Sequence, residues 1–188
     1  MTGVYPRGDD RQEQFLRLAA LVDEPLRRYA LRRVGPADVD DIVAETLLVL
    51  WRRLDDVPAG AELPWCYNVA RNCVANLQRS AARRERLVLR LATEPSLPVD
   101  GPAPADELDV DAALASLPAK DREVVLLWAW EGLAAREIAV ALGTSANAVS
   151  LRLSRAKRRL KTHLARHAPR QDSHGHGQKT DVRGKETR

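Results

Sequence analysis

The sequence predicts an all-α protein made of two small helical domains joined by a proline-rich linker. Three observations carry that expectation. Apolar residues recur at spacings of three and four, and no stretch shows the alternating period of two that a half-buried strand needs. The 188 residues are 45% apolar but only 4% aromatic, and Ala, Leu and Val make up most of the apolar content, as in helical bundles. Midway along the chain, between Thr93 and Ala105, stand four prolines and one glycine, which cannot continue a helix and read as an extended connector.

The elements follow in order. Residues 1–10 have no apolar period and are expected to be a flexible arm. The first domain spans 11–91. Its first helix runs from Gln12 to Arg33, with Phe15, Leu18, Ala19, Val22, Leu26, Tyr29 and Ala30 on one stripe, and Gly35-Pro36 stops it. A second helix, from Ala37 to Leu54, carries Val39, Ile42, Val43, Thr46, Leu47, Leu50 and Leu54 inward and opens with acids. Val57-Pro58-Ala59-Gly60 ends it. The third starts near Pro64, a good first-turn residue, and runs to Leu91 with Trp65, Val69, Cys73 and Leu77 on its buried side. The linker covers 92–107. In the second domain, 108–167, four helices follow closely: Asp109 to Leu117, Pro118 to Trp130, Leu133 to Leu142 and Ser145 to His167. Residues 168–188 are almost free of apolar side chains and are expected to be a disordered tail.

Charge says more about partners than the net +4 and pI of 9.4, because it is segregated. Acid gathers from Asp38 to Glu45, and base gathers on two later helices, nearly all of it Arg, whose fork suits phosphate and guanine. Cys66 and Cys73 sit seven apart in one helix, so their Cα atoms stand ~10 Å apart, too far for a disulfide. There is no signal-peptide pattern and no apolar run of ~18 residues, so a cytoplasmic protein without membrane insertion is expected. No Walker loop, glycine-rich cradle, Ser-His-Asp set or metal-ligand cluster points to an enzyme, a cofactor or a metal. His174-Gly-His176 reads as part of a solvated tail.

The most specific local signal is REIAVALGTSANAVSLRLSRAKRRL, Arg136 to Leu160. Glu137, Ile138, Ala139 and Leu142 make a short helix, Gly143 a tight turn and Ser145 a cap for the next helix, the layout of a helix-turn-helix. At ~100° per residue, Val149, Leu153, Ala156, Leu160 and Leu164 share a core face while Asn147, Leu151, Ser154 and Arg158 point away. No acid interrupts this run. Asn147, Ala148, Leu151 and Arg155 are then candidates for base edges, and Arg152, Arg158 and Arg159 for phosphates.

In the first domain, Asp38, Asp40, Asp41 and Glu45 either compensate the helix dipole or form a docking face for a basic partner. A metal-dependent nuclease site is disfavoured, because it needs carboxylates from separate elements and a base, and this domain has no His. The third helix sets Trp65, Asn68, Asn72, Asn76 and Arg79 at helical spacings, with Arg71, Arg83, Arg84 and Arg86 beside them. Aromatic, amide and Arg groups on one surface suit unstacked bases and their phosphates, although Trp65 reads equally well as a core anchor.

Taken together, DVDDIVAETLLVLWRRL from Asp38, WCYNVARNCVANLQR (65–79), the proline-rich linker and ALASLPAKDREVVLLWAWEGLAAREIAVALGTSANAVSLRLSRAKRRL resemble an extracytoplasmic-function sigma factor of bacterial RNA polymerase, a sigma-70 relative. The resemblance spans residues 11–165. It implies a first domain like sigma region 2, in which Asp38, Asp40, Asp41, Ile42 and Glu45 bind the polymerase core. There, Trp65, Asn68, Arg71, Asn72, Asn76, Arg79 and Arg83 hold the opened −10 strand. It implies a second domain like region 4, in which Ser145, Asn147, Ala148, Leu151, Arg152, Arg155, Arg158 and Arg159 read the −35 duplex. The implied partners are polymerase core, promoter DNA and an anti-sigma factor, and the free chain is expected to be monomeric. Asn76 stands where the family usually has Asp, and Ala148, Ser150 and Leu151 replace common polar residues, so promoter preference does not carry over. The competing class is a stand-alone dimeric helix-turn-helix regulator with an N-terminal sensing domain.

Overall fold

The computed structural model describes residues 8–91 and 105–167, and among them every regular element is helical. The first bundle comprises α1 (Gly8–Leu31), α2 (Val39–Arg52) and α3 (Glu62–Leu91), with 3-10 turns at Pro36–Asp38 and Leu54–Asp56 flanking α2. The second comprises α4 (Ala105–Ala115), α5 (Ala119–Ala129), α6 (Ala135–Leu142) and α7 (Ala146–His167). Most helix ends shift by about two residues from the sequence expectation, and two shifts cross an expected segment boundary. α1 starts at Gly8, inside the expected arm, and α4 starts at Ala105, so 105–107 are helix rather than linker. Polar residues at both starts carry no apolar period, which is why periodicity placed the ends later. α1 also continues through Pro25, whose ring removes one helical hydrogen bond without ending the helix. The rest of the linker, residues 1–7 and the tail lie outside the described residues.

The first core is built where the three apolar stripes meet. Val22, Leu26, Tyr29 and Ala30 of α1 are buried with Ile42, Val43 and Leu50 of α2 and Cys66, Ala70 and Val74 of α3. The rings of Tyr29 and Tyr67 stack tilted at 5.0 Å. Thr46 is buried among them, and its hydroxyl donates to the Ile42 carbonyl at 2.7 Å, so the polar group is satisfied within its own helix. In the second bundle Leu117, Val125 and Ala156 form a small cluster of their own. Val124, Leu127, Leu133, Ile138, Ala139, Ala141 and Val149 instead join the apolar cluster of the first bundle. α3 lies along α6, so the two bundles share one continuous core.

The turn between α6 and α7 is decided by backbone chemistry. Gly143 takes the left-handed conformation at φ 60°. The Thr144 N–H then reaches the Ala139 carbonyl at 2.9 Å and the Gly143 N–H the Val140 carbonyl at 3.2 Å, the Schellman ending that glycine allows. Ser145 Oγ accepts from the Ala148 N–H at 3.2 Å and caps α7. At the start of α6, Ala134 offers no side-chain acceptor, but Glu137 Oε2 reaches back to the Ala134 N–H at 2.7 Å, half of a capping box.

Candidate nucleic-acid interface

On α7 the burial follows the helical wheel. Val149 and Ala156 are fully buried, while Asn147, Ser150, Leu151, Ser154, Arg155, Arg158 and Arg159 are exposed. Leu151 leaves half of its surface, 50%, to solvent, an apolar spot among amides, hydroxyls and guanidinium groups that suits a thymine methyl. Ala148 and Arg152 are half-buried at the edge of this face. Arg159 lies 3.7 Å from Asp121 of α5, and Lys157 sits 3.4 Å over the Trp128 ring. Arg155 and Arg158 are exposed cations on the same open side. Leu164, expected on the core face, is exposed. The last turns of α7 run beyond full cover, and Leu164 lines a shallow groove with Val110, Trp128 and Trp130 instead.

The acidic start of α2 is a surface feature with one exception. Asp40, Asp41 and Glu45 are exposed and Asp38 is half-buried, but Ile42 is 2% exposed and packs in the core. Ile42, which the resemblance sets among the polymerase-binding residues, is packed in the core and does not stand on this surface. Leu48, 47% exposed, is an open apolar side chain of α2 three residues beyond Glu45. Periodicity already hinted at this, since Leu48 falls off the buried stripe. Arg27 Nη1 pairs with Asp40 at 2.5 Å while its Nε holds Asp23 at 2.9 Å. The Asp40 bond, then the Asp23 bond, raise the pKa of that guanidinium. Both groups are open to solvent, so the pair contributes little to stability.

On α3, Asn72, Asn76, Arg79, Arg83, Arg84 and Arg86 are exposed and form a basic, amide-bearing strip. Asn76 Oδ1 accepts from Arg79 and Ser80 Oγ from Arg83, which holds both guanidinium groups along the helix. Trp65 is half-buried, packed against the core with Arg53 5.7 Å from its ring, so it anchors α3 and leaves an edge outside. Asn68 and Arg71 do not join the open strip. Asn68 Nδ2 donates to the Ala141 carbonyl of α6 at 2.9 Å. Arg71 lines a cleft of about 470 Å³ between the bundles, together with Lys120, Glu123, Gly143, Thr144 and Arg152. Among the described residues, no group of three or more His, Cys, Asp or Glu is placed to hold a metal ion, and no helix is long and apolar enough to cross a membrane.

Comparison with known proteins agrees with this geometry. Residues 18–84 match Sigma-70 region 2 and residues 107–160 match Sigma-70, region 4. The chain is 33% identical over 136 residues to the RNA polymerase sigma factor NccH of Alcaligenes xylosoxydans xylosoxydans, covering 68% of this chain and 73% of that protein. It is 34% identical over 150 residues to the ECF RNA polymerase sigma factor SigF of Caulobacter vibrioides, covering 78% and 83%. Among solved structures it resembles the sigma factor RpoE in complex with the anti-sigma factor NepR from Bartonella quintana, with a TM-score of 0.53, 26% identity and coverage of 84% and 97%. Two sigma regions in this order along one chain, and relatives more than 30% identical of which the chain covers over two thirds, show that the chain belongs to the extracytoplasmic-function RNA polymerase sigma factors.

Proposed function

We propose that the chain binds the polymerase core through the exposed acids of α2, with Leu48 beside them, and directs it to promoters that α7 and α3 recognise in turn. The observation that carries this reading is the succession of the two sigma regions along one chain, each with its own open, charged face. α7 enters the major groove with Asn147, Ala148, Leu151 and Arg155 toward base edges, and Arg152, Arg158 and Arg159 toward phosphates. α3 holds the parted −10 strand with Asn68, Arg71, Asn72, Asn76, Arg79 and Arg83, and the open edge of Trp65 offers a surface for stacking. Trapping unstacked bases makes strand opening favourable without ATP. Each module binds weakly, and their tether raises the effective concentration of one once the other is seated. The protein makes no covalent chemistry of its own, works as a monomer in the cytoplasm, and is held in check by an anti-sigma partner, as the Bartonella quintana relative is solved with one.

Run-off transcription with purified core polymerase on genomic fragments tests this. Discrete transcripts are expected only when the protein is added. A two-fold pair of chains protecting a palindrome without polymerase, and no transcript with it, would instead identify a stand-alone regulator.

A further inference from the structure

Along the seam between the bundles opposite charges meet. Glu131, in the turn after α5, accepts from Arg32 at 3.0 Å and from Arg33 at 3.3 Å, and Arg33 also stands 3.5 Å from Glu123 of α5. One place on the seam is different. The cleft of about 470 Å³ gathers three cations from three helices, Arg71 of α3, Lys120 in the first turn of α5 and Arg152 of α7, around the single carboxylate of Glu123. That carboxylate is already engaged by Arg33. Among the described residues, none of the three cations takes part in an ion pair. Arg71 Nε is moreover buried and finds no acceptor within the chain. A buried donor without a partner is costly, and like charges around one cavity repel each other. Both costs fall when an anion sits between them.

Packing, and not nearness in sequence, assembles these groups. Asn68 Nδ2 donates to the Ala141 carbonyl at 2.9 Å, which seats α3 beside the turn between α6 and α7. Arg71 follows Asn68 by one helical turn and so lies on the same side of α3. Thr144 of that turn adds a hydroxyl to the lining.

The lining also selects the ligand. Three cations against one engaged carboxylate call for several negative charges close together. The Arg forks match phosphate oxygens, and Lys serves as a point charge beside them. The volume is that of a small-molecule pocket and not of a groove for a duplex. None of the described residues lining it is aromatic, so nothing there stacks a base and recognition falls on the phosphates.

We propose that the cleft between α3, α5 and α7 is a binding site for a small polyphosphate, a di- or triphosphate chain either free or carried by a nucleoside, held by Arg71, Lys120, Arg152 and the Thr144 hydroxyl. The ligand touches both bundles, so its binding stabilises the folded chain by mass action. This goes beyond the promoter reading, because Lys120 belongs to neither DNA-facing set.

The test is isothermal titration calorimetry of the full-length chain at constant ionic strength, with sodium tripolyphosphate, pyrophosphate, ATP and citrate as probes and the melting temperature followed alongside. The variants are Lys120→Gln and Arg152→Gln in the cleft and Arg17→Gln on the exposed side of α1, each verified as folded by far-ultraviolet circular dichroism. Saturable binding of tripolyphosphate at a single site and a raised melting temperature are expected. Each cleft variant should weaken that binding by about tenfold, while Arg17→Gln leaves it unchanged. ATP binding no tighter than tripolyphosphate supports the site with a free phosphate chain as its ligand, and tighter ATP supports it with a nucleotide. Absence of binding by all three phosphate probes overturns the site, as does unchanged affinity in both cleft variants. An equal loss in Arg17→Gln marks bulk electrostatics and overturns it too. Citrate binding as tightly as tripolyphosphate overturns the choice of phosphate. If a short single-stranded oligonucleotide binds in a Lys120-dependent way while tripolyphosphate does not bind, the cleft holds strand phosphates and the proposal falls.

Discussion

Gly143 turns the chain between α6 and α7 with φ at 60°, where a Cβ meets its own backbone. An added Cβ would find nothing nearer than Asn68 Nδ2 at 3.9 Å, so the cost of substitution is backbone strain and not crowding. Gly143→Val should lower stability by about 1–2 kcal/mol, measured by urea unfolding, with Gly143→Asn costing less. The buried cysteines make a second prediction at this scale. Burial pushes the Cys66 thiol from an ordinary 9.0 up to about 12 and raises Cys73 as well. Neither should react with Ellman's reagent until the chain unfolds. Because the folded state keeps a proton that the unfolded chain releases, this preference is fully present below pH 9.0 and is lost as pH rises toward 12. Burial raises Tyr29 and Tyr67 in the same sense. Melting temperature should therefore fall in alkali, and Cys66→Ala should show a shallower alkaline decline than the parent.

At the scale of elements, each helix was legible because its apolar period is local. The same wheel that buried Val149 and Ala156 left Arg155 and Arg158 exposed. Arg155→Ala and Arg158→Ala should each weaken binding of duplex promoter DNA and reduce the slope of log affinity against log salt by about 0.9 for each phosphate that is no longer neutralised; an unchanged slope in both would remove α7 from the groove. The start of α6 was less legible. Ala134-Ala135 reads as a weak cap, yet Glu137 supplies the acceptor from within the helix. Glu137→Ala should cost about 1 kcal/mol, seen as a lower unfolding midpoint. Ile42 and Leu48 mark the limit of the resemblance and not of the wheel. The apolar period already set Ile42 inward and left Leu48 off the stripe, and their exposure, 2% against 47%, follows the period.

For the whole molecule, the shared apolar cluster is the deciding feature. It runs from Val22 and Leu26 through Tyr67 and Ala70 to Leu127, Ile138 and Val149, so neither bundle completes its core alone. Leu127→Ala should destabilise the chain by about 2–5 kcal/mol. Urea unfolding of the full chain should appear as one transition, with coincident curves from a variant keeping only Trp65 and one keeping only Trp128. Separate midpoints would mean that the seam contributes nothing to cooperativity.

The sequence by itself determined the helices, their apolar faces, the turn at Gly143 and the segregation of acid from base, because each depends on residues within a few positions of one another. Only the tertiary structure decided that α6 lies on α3, that Glu131 meets Arg32 and Arg33, and that Asn68 caps a helix about 70 residues away. Periodicity says which side of a helix avoids water. It does not say which of several such sides will meet, and the partner of a polar group at a seam follows from that meeting.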